Sequence, residues 1–299
     1  MADFDFVTLD VFTSQPFGGN PLAVFPDGRG LSGETMQAVA TEFNLSETVF
    51  MLPPPEGSEA IATVRIFTPV AELPFAGHPN VGAAYVVASQ VGIFGREAGD
   101  GFIFDEKAGP VECFVDRSGG KLQTSITAPR PLSVGDEIDV ETVADCASLD
   151  SGSVATKAHR PAYVSVGLPF VTAELASLDE LARARPDAAA FARGVERYRP
   201  TDSFFSLHLY VRDPSDPSSI RTRMFAPLSN IPEDPATGSA AAALAALLAT
   251  FDGPDREQRY EIVQGVEMGR RSDIVATVSG GRVRVGGPCV PMQTGVLTL

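Results

Sequence analysis

The stretch that decides the fold is Ser239–Thr250, which reads SAAAALAALLAT. Alanine and leucine are strong helix formers, and the stretch has almost no polar face. A helix that is apolar all round must be buried all round, and this one is too short to cross a membrane. We therefore expect a helix that lies inside a curved sheet.

A second stretch of the same character, Asn80–Val91, reads NVGAAYVVASQV and predicts a second buried helix. Strand and helix signals in the first part of the chain can surround it. The predicted elements are strands over Phe6–Phe12, Leu22–Phe25, Thr48–Leu52 and Ile61–Phe67, and a helix over Ser32–Phe43 with Ser32 as its N-cap.

The segments that precede the two apolar helices repeat. Arg65-Ile66-Phe67-Thr68-Pro69, followed by Pro74, precedes the first helix, and Arg223-Met224-Phe225-Ala226-Pro227, followed by Pro232, precedes the second. Both fit R-x-F-x-P-x4-P, and both pass through a glycine-containing turn into the helix. The recurrence of pattern and helix together predicts two related halves, with the Gly-, Ser- and Pro-rich stretch 117–131 as a candidate junction.

Composition narrows the function classes. The 299 residues are 44% hydrophobic and 20% charged, which is ordinary for a globular protein. A net charge of −15 disfavours nucleic acid and anionic membrane surfaces as partners. It leaves room for a small anionic substrate, because backbone dipoles act locally. The first residues lack the features of a signal peptide, so we expect a cytoplasmic protein.

Several familiar chemistries lack their motifs. Cys113, Cys146 and Cys289 are far apart and form no CxxC pair, and the three histidines show no HExxH spacing. We therefore expect reduced thiols and no metal site. The absence of GxxxxGK, GxGxxG and GxSxG motifs disfavours nucleotide-dependent transfer, dinucleotide redox chemistry and α/β-hydrolase chemistry.

The turn 74–82 opens the first apolar helix and contains Gly77 and His78. A helix N-terminus offers N–H donors and a positive dipole end that can hold a carboxylate, and Gly77 lets a ligand approach the backbone. His78 is a candidate acid, base or hydrogen-bond donor. The alternative is a tight turn with a packed histidine.

The turn 231–240 opens the second apolar helix. Asp234 is a candidate proton-transferring carboxylate, and Thr237, Gly238 and Ser239 present backbone N–H groups and a hydroxyl. The alternative is a plain helix cap, since Asp and Ser are preferred at helix N-termini.

Glu47 begins an apolar strand. A carboxyl group beside apolar neighbours tends to have a raised pKa, which suits a general base near neutral pH. The alternative, a solvent-facing glutamate at a strand end, is the commoner situation. Asn20, in Gly18-Gly19-Asn20-Pro21, is most simply part of a turn.

Taken in order, these stretches resemble the PhzF family of phenazine-biosynthesis isomerase-like proteins, which share the diaminopimelate epimerase fold. The matching motifs run almost from end to end of the chain. They are DVF and PFGGNPLAV (residues 10–24), NLSET (44–48), RIFTP and ELPFAGHP (65–79), EDPATGSA (233–240), and QG with MGR (264–270).

The resemblance implies an α/β (α+β) fold of two pseudo-repeated domains, each a curved mixed sheet wrapped around a central apolar helix, with the active site between them. It also implies a last strand that crosses back to the first domain, and a homodimer. We accordingly predict domains at 1–118 plus 286–299 and at 119–285.

The resemblance also assigns roles to residues. The general acid/base glutamate of the family falls on Glu47, and its supporting site residues fall on His78, Asp234 and Ser239, with Gly77 beside them. The predicted substrate-binding residues are Asn20, Gly77, Thr237 and Gly238.

One departure bears on the mechanism. The epimerase relatives use two cysteines at the helix-opening turns, where this chain has His78 and Ser239. This disfavours two-thiol racemisation. We expect a cofactor-independent isomerase that moves a proton on a small carboxylate-bearing substrate, with Glu47 carrying the proton. A non-catalytic carboxylate-binding protein, and an epimerase that uses Glu47 and Asp234, are the alternatives. Stretches 155–161 and 198–205 are candidates for substrate specificity.

Overall fold

The computed structural model describes residues 1–200, 205–253 and 256–299, so part of the stretch 198–205 lies outside the described residues. The chain divides into two compact units, residues 1–129 with 284–299 and residues 130–283. No helix in the described ranges is long and apolar enough to span a membrane.

Unit 1 contains strands β1 (Asp3–Val11), β2 (Asn20–Phe25), β3 (Glu47–Leu52), β4 (Ala62–Phe67), β5 (Glu72–Leu73), β6 (Gly92–Ile93), β7 (Arg96–Glu97), β8 (Gly101–Glu106), β9 (Gly109–Asp116) and β10 (Gln123–Thr127), with helices α1 (Gly33–Phe43) and α2 (Gly77–Ser89). Unit 2 contains strands β11 (Ser133–Glu137), β12 (Val154–Ala155), β13 (Ala162–Ser165), β14 (Pro169–Leu175), β15 (Leu207–Arg212), β16 (Ser219–Ala226), β17 (Ile231–Asp234), β18 (Gln258–Gln264) and β19 (Ser272–Ser279), with helices α3 (Val140–Ala147), α4 (Leu178–Arg183), α5 (Ala188–Tyr198) and α6 (Gly238–Asp252). The last strand, β20 (Arg282–Thr298), belongs to unit 1 from residue 284 onward.

The sheet of unit 1 closes on itself around α2. Its pairings run β1–β2–β3–β4–β8–β9–β10–β20 and back to β1. Helix α2 contacts β1, β2, β3, β9 and β10, and every residue from Gly77 to Ala84 is buried. The approach is close at Gly82, where a Cβ atom would lie 2.4 Å from Leu22 Cδ2. All-round burial is what the apolar sequence of α2 requires.

Unit 2 repeats this plan around α6. Helix α6 contacts β13, β14, β18 and β19 and is buried from Gly238 to Ala249. The run β14–β15–β16–β18–β19 has the pairing directions parallel, antiparallel, parallel, antiparallel, which are also those of β2–β3–β4–β8–β9. The predicted repeat of a curved mixed sheet around an apolar helix is therefore confirmed.

A second layer of helices covers the outer face of each sheet. In unit 1, α1 packs Met36, Val39 and Ala40 against an aromatic cluster that includes Phe25 and Phe50. The hydroxyl oxygen of Ser32 caps this helix by accepting a hydrogen bond from the Thr35 N–H. In unit 2, α3, α4 and α5 cover the corresponding face of β14 and β15.

The closing strand returns to unit 1, as the resemblance implies. Strand β20 pairs antiparallel with β1 from Thr298 opposite Asp3 to Cys289 opposite Val11, and it also pairs with β10. Strand β10 lies within the segment that the predicted boundaries assign to the second domain. Its pairing with β9 and β20 places it in unit 1 instead.

The repeated Arg-x-Phe motif forms the same ion-pair arrangement in each unit. Arg65 makes a bidentate ion pair with Glu72 and stacks over Phe67, with the guanidinium carbon 5.0 Å from the ring centre. Arg223 pairs in the same way with Glu233 and stacks over Phe225 at 4.9 Å. In each unit the pair ties the strand before the central helix to the turn that opens the helix.

These ion pairs shift the register of the repeat. The sequence pattern matches Pro74 with Pro232, whereas the ion pairs match Glu72 with Glu233 and therefore Pro74 with Pro235. Both turns then read E-x-P-x-x-G, and the glycines are the first residues of α2 and α6. The sequence alone does not reveal this register, because the loop between Phe67 and Glu72 is shorter than the loop between Phe225 and Glu233.

We expect substitution of the two arginines by lysine to lower the free energy of unfolding by different amounts. The Arg223 side chain is 3% exposed and also donates to the carbonyl oxygens of Leu181 and Ala184, whereas the Arg65 side chain is 26% exposed. A lysine cannot reproduce the bidentate geometry. We expect Arg223→Lys to lower the free energy of unfolding by about 3 kcal/mol, because it disrupts a buried pair. We expect Arg65→Lys to cost about 1 kcal/mol. Urea unfolding of both variants measures the difference, and equal losses would contradict this account.

Candidate active site

The first group of predicted residues assembles where two parallel strands begin. Asn20 begins β2 and Glu47 begins β3, and the two strands pair in parallel with Leu22 opposite Glu47. Neighbouring parallel strands begin at the same edge of a sheet, so these two side chains share that edge. His78, the second residue of α2, contacts both of them.

The contacts form a short buried chain of polar groups. His78 Nδ1 lies 3.4 Å from the side-chain nitrogen of Asn20, and His78 Nε2 lies 3.2 Å from Glu47 Oε2. The His78–Glu47 contact has the distance of a hydrogen bond but not its alignment. The Glu47 side chain is 12% exposed and that of His78 is 5% exposed. Glu47 is therefore not the solvent-facing glutamate of the alternative interpretation, and Asn20 does more than form a turn.

Burial sets the charge of His78, and its contact with Asn20 sets the tautomer. It lowers the pKa of His78 to about 3, so the imidazole is neutral at physiological pH. With the Asn20 amide nitrogen beside Nδ1, that ring nitrogen acts as the acceptor, and the proton is on Nε2. The neutral ring thus places its Nε2–H group beside the Glu47 carboxyl group.

Gly77 and His78 are the first two residues of α2, whose N-cap residue, Ala76, makes no side-chain capping bond. The N–H groups of a first turn and the helix dipole favour a negative charge at this end. The turn therefore combines a site for an anion with a neighbouring carboxyl group and imidazole.

The second group of predicted residues assembles in unit 2, at the start of α6. Asp234 ends β17, which pairs with β16, and it is 6% exposed. Thr237 is the N-cap residue of α6, and Gly238 and Ser239 are its first two residues. The Thr237 hydroxyl donates to Asp234 Oδ2 at 2.5 Å and makes no capping bond to the helix. Thr237 therefore does not cap α6 with its side chain, and its hydroxyl contacts the Asp234 carboxyl group instead.

Sequence reasoning missed a buried carboxyl group beneath the first turn. Glu106, at the end of β8, is 8% exposed and lies beside Asn80 of α2. Burial raises its pKa to about 8, against the opposing effect of the Asn80 side chain. Neither Glu106 oxygen meets the geometry of a hydrogen bond with another described residue. The alternation of β8 carried a signal, because Glu106 shares the inward face of Phe104.

The thiols are placed as inert groups. Cys113, Cys146 and Cys289 are all free and buried, on β9, α3 and β20. Burial raises the pKa of Cys146 and Cys289 to about 12, so both are protonated thiols at neutral pH. Within the described ranges, no group of three or more His, Cys, Asp or Glu side chains is placed to hold a metal ion.

Comparison with known proteins shows the family and the enzyme class of the chain. A family model described as phenazine biosynthesis-like protein matches residues 9–295. The chain belongs to this family. It is 40% identical to an uncharacterized isomerase of Mesorhizobium japonicum, over 98% of both chains. It is 34% identical to the trans-2,3-dihydro-3-hydroxyanthranilate isomerase of Pseudomonas chlororaphis, over 98% of this chain and 99% of the relative. The predicted isomerase class is confirmed.

Solved structures agree on the fold. A PhzF-family phenazine biosynthesis protein of Bacillus anthracis superposes with a TM-score of 0.87 at 22% identity, covering 100% of both chains. A hydroxyproline epimerase of Agrobacterium vitis superposes with a TM-score of 0.61 at 11% identity, covering 99% of this chain and 92% of that one. The epimerase-like fold class predicted from the sequence is confirmed.

The raised pKa of Glu106 predicts how stability depends on pH. The folded pKa of about 8 lies above the ordinary value of 4.5, so the folded chain keeps a proton that the unfolded chain releases. The contribution of this proton to the free energy of unfolding is fully present below about pH 4.5 and is lost as the pH rises through about 8. Glutamine mimics the neutral carboxyl and cannot ionise. We expect the unfolding free energy of Glu106→Gln to fall less than that of the wild type between about pH 5 and pH 9.

Urea unfolding at several pH values measures this slope. Glu56→Gln provides the control, because Glu56 belongs to the same unit and its side chain is exposed. A slope in Glu106→Gln as steep as that of the wild type would show that Glu106 is ionised in the folded state.

Proposed function

We propose that this isomerase moves a proton on a small carboxylate-bearing substrate by general acid/base catalysis, with Glu47 as the proton carrier. One observation carries the proposal. A nearly buried carboxyl group faces a neutral imidazole beside the uncapped start of a buried helix. This arrangement provides a base, a hydrogen-bond donor and a site for an anion in one turn.

Each group in unit 1 has a role in this proposal. Glu47 removes a proton from carbon and returns it, or relays it, to another carbon. The Nε2–H of His78 donates to a polar group of the substrate or to Glu47 itself. The N–H groups at Gly77 and His78, together with the dipole of α2, stabilise the delocalised anion that forms. No step uses a metal or an organic cofactor.

The turn in unit 2 supplies a second set of polar groups. Asp234 holds one of its oxygens against the Thr237 hydroxyl, and Gly238 and Ser239 begin a helix as apolar as α2. We assign these residues to orientation of the amino, hydroxyl or carboxylate groups of a substrate. Cys146 and Cys289, as protonated buried thiols, have no part in the proposed reaction.

The names of the relatives suggest the first substrate to test. Trans-2,3-dihydro-3-hydroxyanthranilate carries a carboxylate, an amino group and a hydroxyl on an unsaturated ring, and two relatives at 34% and 36% identity are named as its isomerases. We propose a compound of this class, a cyclic unsaturated amino or hydroxy acid. The homodimer stays a prediction, which light scattering of the purified chain tests.

Solvent deuterium tests the role of Glu47. We expect the wild type to incorporate deuterium from D₂O into trans-2,3-dihydro-3-hydroxyanthranilate or its product. Glu47→Gln keeps the shape but cannot accept a proton, so we expect its rate to fall by at least about 100-fold. Mass spectrometry and NMR of the recovered compound measure incorporation and its position.

The exposed Glu42, on α1 of the same unit, provides the control, and we expect Glu42→Gln to retain full activity. Equal incorporation by wild type and Glu47→Gln would remove Glu47 from the proposed role. Tight binding of the compound without any exchange would favour the carboxylate-binding alternative. A product that differs only in configuration would favour the epimerase alternative.

A double-mutant cycle tests whether both turns serve one substrate. Residues that act in one catalytic step have non-additive effects on kcat. We expect Asp234→Asn to lower kcat, and we expect the Glu47→Gln/Asp234→Asn double variant to lose much less than the product of the two single losses. Independent, multiplicative losses would assign the two turns to separate functions.

A further inference from the structure

A glutamine with no assigned role holds the turn that contains Asp234. Gln264 ends β18 and is 1% exposed. Its Oε1 accepts from the Thr237 N–H at 3.2 Å and from the Thr222 hydroxyl at 3.4 Å. Its Nε2 donates to the Asp234 carbonyl oxygen at 2.8 Å and to Thr237 Oγ1 at 3.1 Å. Both hydrogens and both acceptor positions of the amide are therefore used.

This pattern fixes the orientation of the amide. Turning the amide over would place its NH₂ group against the Thr237 N–H and its oxygen against the Asp234 carbonyl. Both contacts would then join like groups in a buried site, which is costly. Gln264 thus presents an N–H, and never an oxygen, to the Thr237 hydroxyl.

The orientation of Gln264 determines what the Thr237 hydroxyl does. A hydroxyl has one hydrogen to donate. Thr237 Oγ1 accepts from Gln264 Nε2, so its own hydrogen is directed to Asp234 Oδ2 at 2.5 Å. The three side chains form a single directed chain of donors that runs from Gln264 through Thr237 to the Asp234 carboxylate.

The backbone beside Gln264 holds the chain in place. Gly265 has φ +74°, and a Cβ atom there would lie 2.6 Å from the Pro235 carbonyl oxygen and 2.5 Å from that of Arg270. The Ser272 hydroxyl donates to the same Pro235 oxygen at 2.8 Å. The segment that follows β18 therefore presses directly on the turn, and only glycine fits at 265.

We propose that Gln264 is a positioning residue for the reaction: it sets the Thr237 hydroxyl as a donor to Asp234 and so fixes the orientation of the Asp234 carboxylate. This inference rests on the proposed role of Asp234 in the isomerase reaction. Gln264 acts through Thr237 and Asp234, which it contacts directly.

The variants separate the two halves of the amide. Gln264→Glu keeps an oxygen acceptor for the Thr237 N–H but loses both donors, whereas Gln264→Leu loses the acceptor as well. Thr237→Val removes the hydroxyl with little change of shape, and Thr237→Ser keeps it. The matched control is Gln258→Glu, because Gln258 begins the same strand and donates to the carbonyl oxygens of Asp252 and Gly253.

The kinetic readout uses the full-length protein and trans-2,3-dihydro-3-hydroxyanthranilate. We expect Gln264→Glu and Thr237→Val to lower kcat by about 10- to 100-fold with KM changed by less than about threefold, because the lost hydrogen bond orients a charged group. Gln258→Glu stays within about threefold of the wild-type kcat, and Thr237→Ser, which keeps the hydroxyl, retains a higher kcat than Thr237→Val. Thermal unfolding of every variant checks that the fold is intact.

The second readout does not depend on activity. Gln264→Leu removes the acceptor of the Thr237 N–H, so we expect hydrogen exchange at that amide to rise by at least about tenfold, with no change at β19. Unchanged exchange at Thr237 would overturn the inference, and so would wild-type kcat in Thr237→Val. If the wild type leaves the compound unchanged, the proposed substrate fails, and the exchange measurement alone decides the role of Gln264.

Discussion

All-round burial of two apolar helices is the constraint on which the rest of this structure depends. Helices α2 and α6 have no polar face to turn to water, so a sheet must wrap around each of them. Burial inside a sheet does not by itself provide a partner for the first N–H groups of a helix, which have none within the helix. Ala76 and Thr237, the two N-cap residues, do not supply one from their side chains. Polar chemistry therefore concentrates at these two turns.

The two helix-opening turns share a sequence pattern and an ion pair, but they carry different functional groups. An arginine–glutamate pair ties each E-x-P-x-x-G turn to the strand before it. Leu73 stands in the first turn where Asp234 stands in the second, and His78 stands where Ser239 does. The first turn takes its carboxyl group from a neighbouring strand, at Glu47, and the second provides its own. The same turn pattern thus presents different functional groups in the two units.

Burial decides the charge of the groups around the first turn. Without a compensating charge, desolvation keeps His78 neutral, and it keeps Glu106 protonated at neutral pH. The same effect keeps Cys146 and Cys289 as thiols. A neutral imidazole keeps one ring nitrogen as a donor and the other as an acceptor, so His78 can donate from Nε2 in the proposed reaction.

The resemblance to the PhzF family implied the fold class. The sequence by itself determined the two apolar helices, the repeat and the two turns. These depend on local pattern, since a run such as SAAAALAALLAT has only one way to be buried. Only the tertiary structure decided the partners. Asn20 and Glu47 meet because β2 and β3 pair in parallel, and Gln264 reaches Thr237 because β18 passes beside the turn. The true register of the repeat emerged in the same way, from the Arg–Glu pairs. Such contacts join residues far apart in the chain, and no periodicity in a single sequence records which distant side chains a sheet brings together.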